Sequence, residues 1–161
     1  MTTTAGNQSL DVIEEHWDIT YSHAVGAVAA RFFEKLRDDA ILTAARCPDC
    51  RRALLPPRGY CDRCFVLTTD AVPVGTTGTL EAFTIVNQSF KGLPAAPYCF
   101  GYVLLDGADT AILNYIRGID FSDVDGAAAV LIKKPAMRVA FAESRVGRMS
   151  DFWFEVADDP T

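Results

Sequence analysis

The sequence predicts a mainly β protein: N-terminal helices, a four-cysteine zinc ribbon, then a five-stranded OB-type barrel. Three observations carry that reading. Two CxxC pairs, Cys47-Pro48-Asp49-Cys50 and Cys61-Asp62-Arg63-Cys64, stand ten residues apart. From Thr79 onward, short runs rich in β-branched and aromatic residues alternate with turn residues. Ahead of both, Val25 to Leu36 repeats apolar residues at helical spacing. The implied division is a helical segment over 1–40, a ribbon over 41–70 and a barrel over 71–161.

Residues 1–9 are small and polar and read as a frayed arm, with a short helix over Asp11–Asp18. In the next helix, Val25, Val28, Ala29, Phe32, Phe33 and Leu36 form one apolar stripe, and Ser22 is placed to cap its start. The stripe either packs on its own domain or docks on a partner chain through Phe32, Phe33 and Leu36. The second option gains weight because a ribbon this small offers little core to cover.

The cysteine spacing is that of a metal site. Each CxxC turn puts two sulfurs on one side of a tight loop. Two facing loops complete the tetrahedron that zinc accepts, with Cys47, Cys50, Cys61 and Cys64 as ligands. Four thiolates close the shell to water and substrate, so a single structural ion is expected. The competing readings are two disulfides, which need an oxidising compartment, and a redox CxxC, which needs no second pair. No signal-peptide pattern precedes the pairs. Leu54-Leu55-Pro56-Pro57-Arg58 between them suits a short connecting strand stopped by prolines. Such turns often carry glycine after the second cysteine; here Arg51 and Phe65 stand there.

After a connector over 65–77, with turns at Pro73, Gly75 and Gly78, strands are expected at Thr79–Val86, Tyr98–Leu105, Thr110–Arg117, Ala136–Ala142 and Phe152–Val156. Asp106-Gly107-Ala108-Asp109 is the turn of a hairpin, and 123–132 reads as a helical insert. Five short strands with that insert fit a closed Greek-key barrel. The loop from Asn87 to Tyr98 is too long for a hairpin turn. Its Phe90, Lys91, Leu93, Pro94 and Tyr98 make it either a binding loop or a lid on its own barrel.

Composition bounds function. In 161 residues half are apolar, enough for one domain and a small attachment. A net charge of −6 opposes a nucleic-acid partner. No apolar run reaches 18 residues, so no membrane span is expected and the chain reads as cytoplasmic. Two histidines, His16 and His23, have no motif tying them to Cys99 or to a serine, and the aspartates fall in turns. No complete catalytic set is present, so enzymatic activity is not assigned to this chain.

The ribbon, Pro56-Pro57-Arg58 within it, the strand start Gly78-Thr79-Leu80-Glu81-Ala82-Phe83-Thr84, the loop end Pro94–Tyr98 and Leu105-Asp106-Gly107 together resemble the acyl-CoA-associated zinc-ribbon/OB-fold proteins. The likeness runs from about Trp17 to Val156. It implies a non-catalytic subunit in a hetero-oligomer with a thiolase-fold catalytic subunit, sharing a coenzyme A thioester (acyl-CoA) ligand with it. Phe32-Phe33-Glu34 and Gly147-Arg148-Met149-Ser150-Asp151-Phe152 are most similar to the small subunit of benzoylsuccinyl-CoA thiolase. A steroid side-chain aldolase subunit and an OB-fold single-stranded nucleic-acid binder are the alternatives.

Overall fold

The computed structural model describes residues 20–22 and 24–157. The helix expected over 11–18 and both histidines lie outside them. The chain runs through helix α1 (Gly26–Asp39), strands β1 (Thr43–Arg46), β2 (Ala53–Leu54), β3 (Asp70–Pro73), β4 (Thr77–Val86), β5 (Tyr98–Leu105) and β6 (Ile112–Arg117), helix α2 (Val124–Leu131), strand β7 (Ala136–Phe141), a 3-10 turn (Met149–Asp151) and strand β8 (Phe152–Val156).

The last five strands close a barrel in the order β4-β5-β6-β8-β7, the five predicted. α2 is inserted between β6 and β7 as expected, with Asp123 Oδ1 accepting the Gly126 N–H at its start. β6 and β8 pair in parallel through Ile116 and Phe154; the other barrel pairs are antiparallel. β4 serves two neighbours, β5 along its length and β7 at its first residues. The register shift between Leu80 and Ala82 supplies the bend this requires. Gly78, expected at a turn, instead sits inside β4. A Cβ there would meet the Leu104 carbonyl oxygen and lie 2.8 Å from Leu105 Cα, so only glycine fits.

The ribbon is more of a sheet than its sequence suggests. β1 pairs on one side with β2 and on the other with β3, which spans the expected 70/71 boundary and replaces part of the expected connector. The sheet gives α1 a surface. Phe32 and Leu36 are 3% and 0% exposed and join one core with Leu42, Ala44, Ala53 and Leu55 of the ribbon and Leu105, Ile112 and Phe154 of the barrel. Phe33 packs against the same core, its ring 5.3 Å from that of Phe32 and edge-on to it. This corrects the partner-docking stripe: side chains spent on the chain's own core, at about 2–3 kcal/mol each, are not free to cover another protein. The Ser22 cap is corrected too. The helix begins after Val25 with no side-chain cap, and Gly26 stands at its first position with φ +73°.

Candidate metal centre

The centre is built from two near-copies of one turn. In the first, the Arg51 N–H donates to the Cys47 carbonyl (3.1 Å) and the Cys47 N–H to the Arg52 carbonyl (2.9 Å). In the second, Phe65 donates to Cys61 and Cys61 to Val66, both at 3.0 Å. Closing each turn requires a left-handed residue after the second cysteine. Arg51 and Phe65 adopt it, at φ 63° and 56°. The absent glycines are thus replaced by residues holding a glycine conformation. The Arg46 guanidinium donates to the Arg51 carbonyl (2.7 Å) and helps fix the first turn. Arg52, just past the first turn, pairs with Asp62 inside the second (2.9 Å), holding the two together.

The four Sγ atoms of Cys47, Cys50, Cys61 and Cys64 lie within 4.8 Å of one another, with Cys50 and Cys61 at 3.6 Å. Zinc–sulfur bonds of about 2.3 Å in a tetrahedron put the sulfurs about 3.8 Å apart. All four are free thiols in this arrangement, so the disulfide reading is not the one the geometry adopts. Backbone N–H groups of Cys64 and Arg63 aimed at Cys61 pull its thiol down to about 7. The neighbouring Cys50 sulfur, with burial, pushes Cys64 up to about 12. One thiolate is favoured and the next opposed by crowding, which a divalent cation relieves. The donor set fits a structural zinc. Cys47 and Cys61 are buried with Leu54 in a small cluster of their own beneath the site.

The other expected site residues scatter. Phe90 and Leu93 are about half exposed and stand at the two ends of a tight turn in which the Leu93 N–H donates to the Phe90 carbonyl (3.2 Å). Lys91 and Pro94 are exposed beside them. Tyr98 is separated from this group: it is the first residue of β5, buried, with its ring 5.6 Å from Phe100 and 6.1 Å from Tyr115. Cys99 is fully buried, and burial pushes its thiol up to about 11, away from nucleophilic character.

An outer barrel face was missed. Phe100 and Tyr115 are cross-strand partners with rings 4.3 Å apart, and Tyr102 opposes Leu113. Phe100, Tyr102 and Leu113, with Ala82, Phe83 and Thr84, line an apolar groove of about 170 Å³. Arg117 lies over the Trp153 ring at 4.3 Å. The signal was present as alternation, aromatic at 98, 100 and 102 and small at 99 and 101.

Residues 36–70 match the family of the ChsH2 rubredoxin-like zinc ribbon domain, and residues 71–139 that of the ChsH2 C-terminal OB-fold domain. The chain belongs to this ChsH2-type (DUF35) zinc-ribbon/OB-fold family. Among solved structures, one described as "Ltp2-ChsH2(DUF35) aldolase" matches with a TM-score of 0.63 at 19% identity, covering 85% of this chain and all of that one. A DUF35-family protein of unknown function from Sulfolobus solfataricus matches at 24% identity over 55% of this chain and 67% of its own, with a TM-score of 0.47. Comparison with curated proteins finds no match. The ChsH2-type ribbon and barrel are therefore the two structural units seen here. No described helix is long and apolar enough to cross a membrane.

Proposed function

We propose that this chain is a non-catalytic subunit of a thiolase-fold acyl-CoA enzyme, needed for the partner's activity and shaping or retaining its coenzyme A thioester. One observation carries the reading. The ribbon, barrel and α1 form a single unit whose fold matches the whole chain compared in a structure described as an Ltp2-ChsH2(DUF35) aldolase. The chain's own chemistry agrees: its one cysteine outside the metal cluster is sealed in the barrel. The exposed Phe90–Leu93 turn and the β5–β6 groove are apolar surfaces suited to a partner or to an acyl chain.

The same match favours a carbon–carbon-cleaving aldolase as the partner, beside the thiolase that the resemblance to benzoylsuccinyl-CoA thiolase suggests. Co-expression with a thiolase-fold catalytic subunit of an acyl-CoA aldolase or thiolase tests both. The expected result is a stable hetero-oligomer with thiolytic or retro-aldol activity on an acyl-CoA that neither chain shows alone. A catalytic protein fully active without this chain, and purifying apart from it, refutes the proposal. The aromatic β5–β6 face with Arg117 is also where OB folds take single strands. Titration with a labelled oligonucleotide at low salt is expected to be flat, since the net charge of −6 repels phosphates.

A further inference from the structure

The second metal turn carries an unexplained cost. Phe65 is 83% exposed and is held at φ 56°, a left-handed conformation suited to glycine. The conformation is demanded by the turn, through the Phe65 N–H donating to the Cys61 carbonyl. A glycine would meet that demand without strain. A large ring facing water at a strained position does nothing for the fold, and strain of this kind is kept where it serves a contact. Tyr60 and Leu67, bridged across the same hairpin, are 62% and 60% exposed, so the ring has apolar company.

Charge singles out the same place. Residues 46–69 hold five arginines and two aspartates, +3, in a chain of −6, which leaves −9 elsewhere. Zinc held by four thiolates contributes −2, and the segment remains positive at +1. Arg52 and Arg58 are drawn to Asp62. Arg63 beside Phe65, and Arg51 at the equivalent position of the facing turn, are exposed with no ion partner among the described residues.

We propose that Phe65, with Tyr60, Leu67 and Arg63 of its own hairpin and Arg51 of the other cysteine turn, is a docking knob that enters an apolar pocket rimmed by carboxylates on the catalytic subunit. The inference rests on the accessory-subunit reading and adds to it the surface and the chemistry of the contact. A buried aromatic ringed by arginine is the composition that dominates protein–protein hot spots. The acidic remainder of the chain disfavours a nucleic acid as occupant.

The test titrates the full-length zinc-loaded chain, and its variants, against the thiolase-fold subunit. Phe65→Gly is expected to keep one zinc and melt no lower than the parent, because it relieves the left-handed strain, yet to bind about 30-fold more weakly. Arg51→Glu with Arg63→Glu is expected to weaken binding about tenfold at low salt, with the loss shrinking as salt rises. If the parent binds and both variants bind equally well, the knob is refuted while the accessory role stands. If the parent does not bind, both fall. If Phe65→Gly loses zinc or melts lower, the ring belongs to the ribbon's own structure and the docking role is overturned. Binding of an oligonucleotide by the parent that both variants lose would name the wrong occupant and overturn it as well.

Discussion

Asp109 and Ala53 exchange two hydrogen bonds: the Ala53 N–H donates to Asp109 Oδ2 and the Asp109 N–H to the Ala53 carbonyl, both at 2.8 Å. The next residue repeats the device. Thr110 Oγ1 accepts from the Leu55 N–H (2.7 Å) and donates to the Leu55 carbonyl (2.8 Å). The β5–β6 turn is thus stitched to β2 and the residue after it, which ties the ribbon to the barrel. Between the stitches the chain alternates: Ala53 and Leu55 face the shared core, while Leu54 faces the metal cluster.

Asp109→Ala should therefore act at the joint. It removes the acceptor of a buried backbone N–H, at a cost of about 1–3 kcal/mol, and leaves the cysteines untouched. Urea unfolding is expected to shift to lower concentration with one zinc per chain retained. An unchanged midpoint would show that the stitch is dispensable.

Removing the metal tests the opposite end. Cys50→Ser or Cys61→Ser should lose the ion and release the two turns, since a cluster of Cys47, Leu54 and Cys61 is too small to hold itself together. The barrel should keep its near-ultraviolet dichroism, because β4–β8 close without the ribbon. Ala44, Ala53 and Leu55 lie in the common core, however, so its melting temperature should fall. Metal analysis well below one zinc per parent chain would contradict the assignment of the four cysteines.

The cysteines and the barrel strands were legible because each is a local pattern: a two-residue spacing, or an alternation over five to eight residues. β1 and β3 were not. Thr43-Ala44-Ala45-Arg46 and Asp70-Ala71-Val72-Pro73 have little strand preference, and they are strands because they pair with each other. Gly78 looked like a turn because glycine usually marks one, whereas here it marks a crossing too close for a side chain. Asp109 looked like turn chemistry, and its partner lies 56 residues away. The fate of Phe32 and Leu36 was likewise set by the ribbon sheet, which no local pattern announces.

Cys99 offers a control for the accessory reading. It is fully buried in β5, and burial pushes its thiol up to about 11. Cys99→Ala should leave the activity of the complex unchanged and cost about 1–2 kcal/mol of stability through the small cavity it opens. A loss of turnover without a loss of folded protein would restore Cys99 as a candidate nucleophile.

Asp151 gives the chain a definite acid response. Its carboxylate is buried, which by itself raises its pKa, yet Oδ2 accepts the backbone N–H groups of Arg148 (2.9 Å), Val146 (2.8 Å) and Gly147 (2.7 Å), and these hold it below the usual carboxylate range. The bonds fix the loop whose Gly147 sits against the Phe33 carbonyl of α1 and whose Arg145 donates to the Arg37 carbonyl (3.3 Å). Because the folded pKa lies below the unfolded one, the stabilisation is fully present above about pH 4 and drains away as pH falls through the folded value. Asp151→Asn turns a charged acceptor into a neutral one and should cost about 1–3 kcal/mol at pH 7. The gap between parent and variant should narrow as the pH drops below 4. A gap that stays constant from pH 7 to pH 3 would show that the charge at Asp151 does not hold this loop.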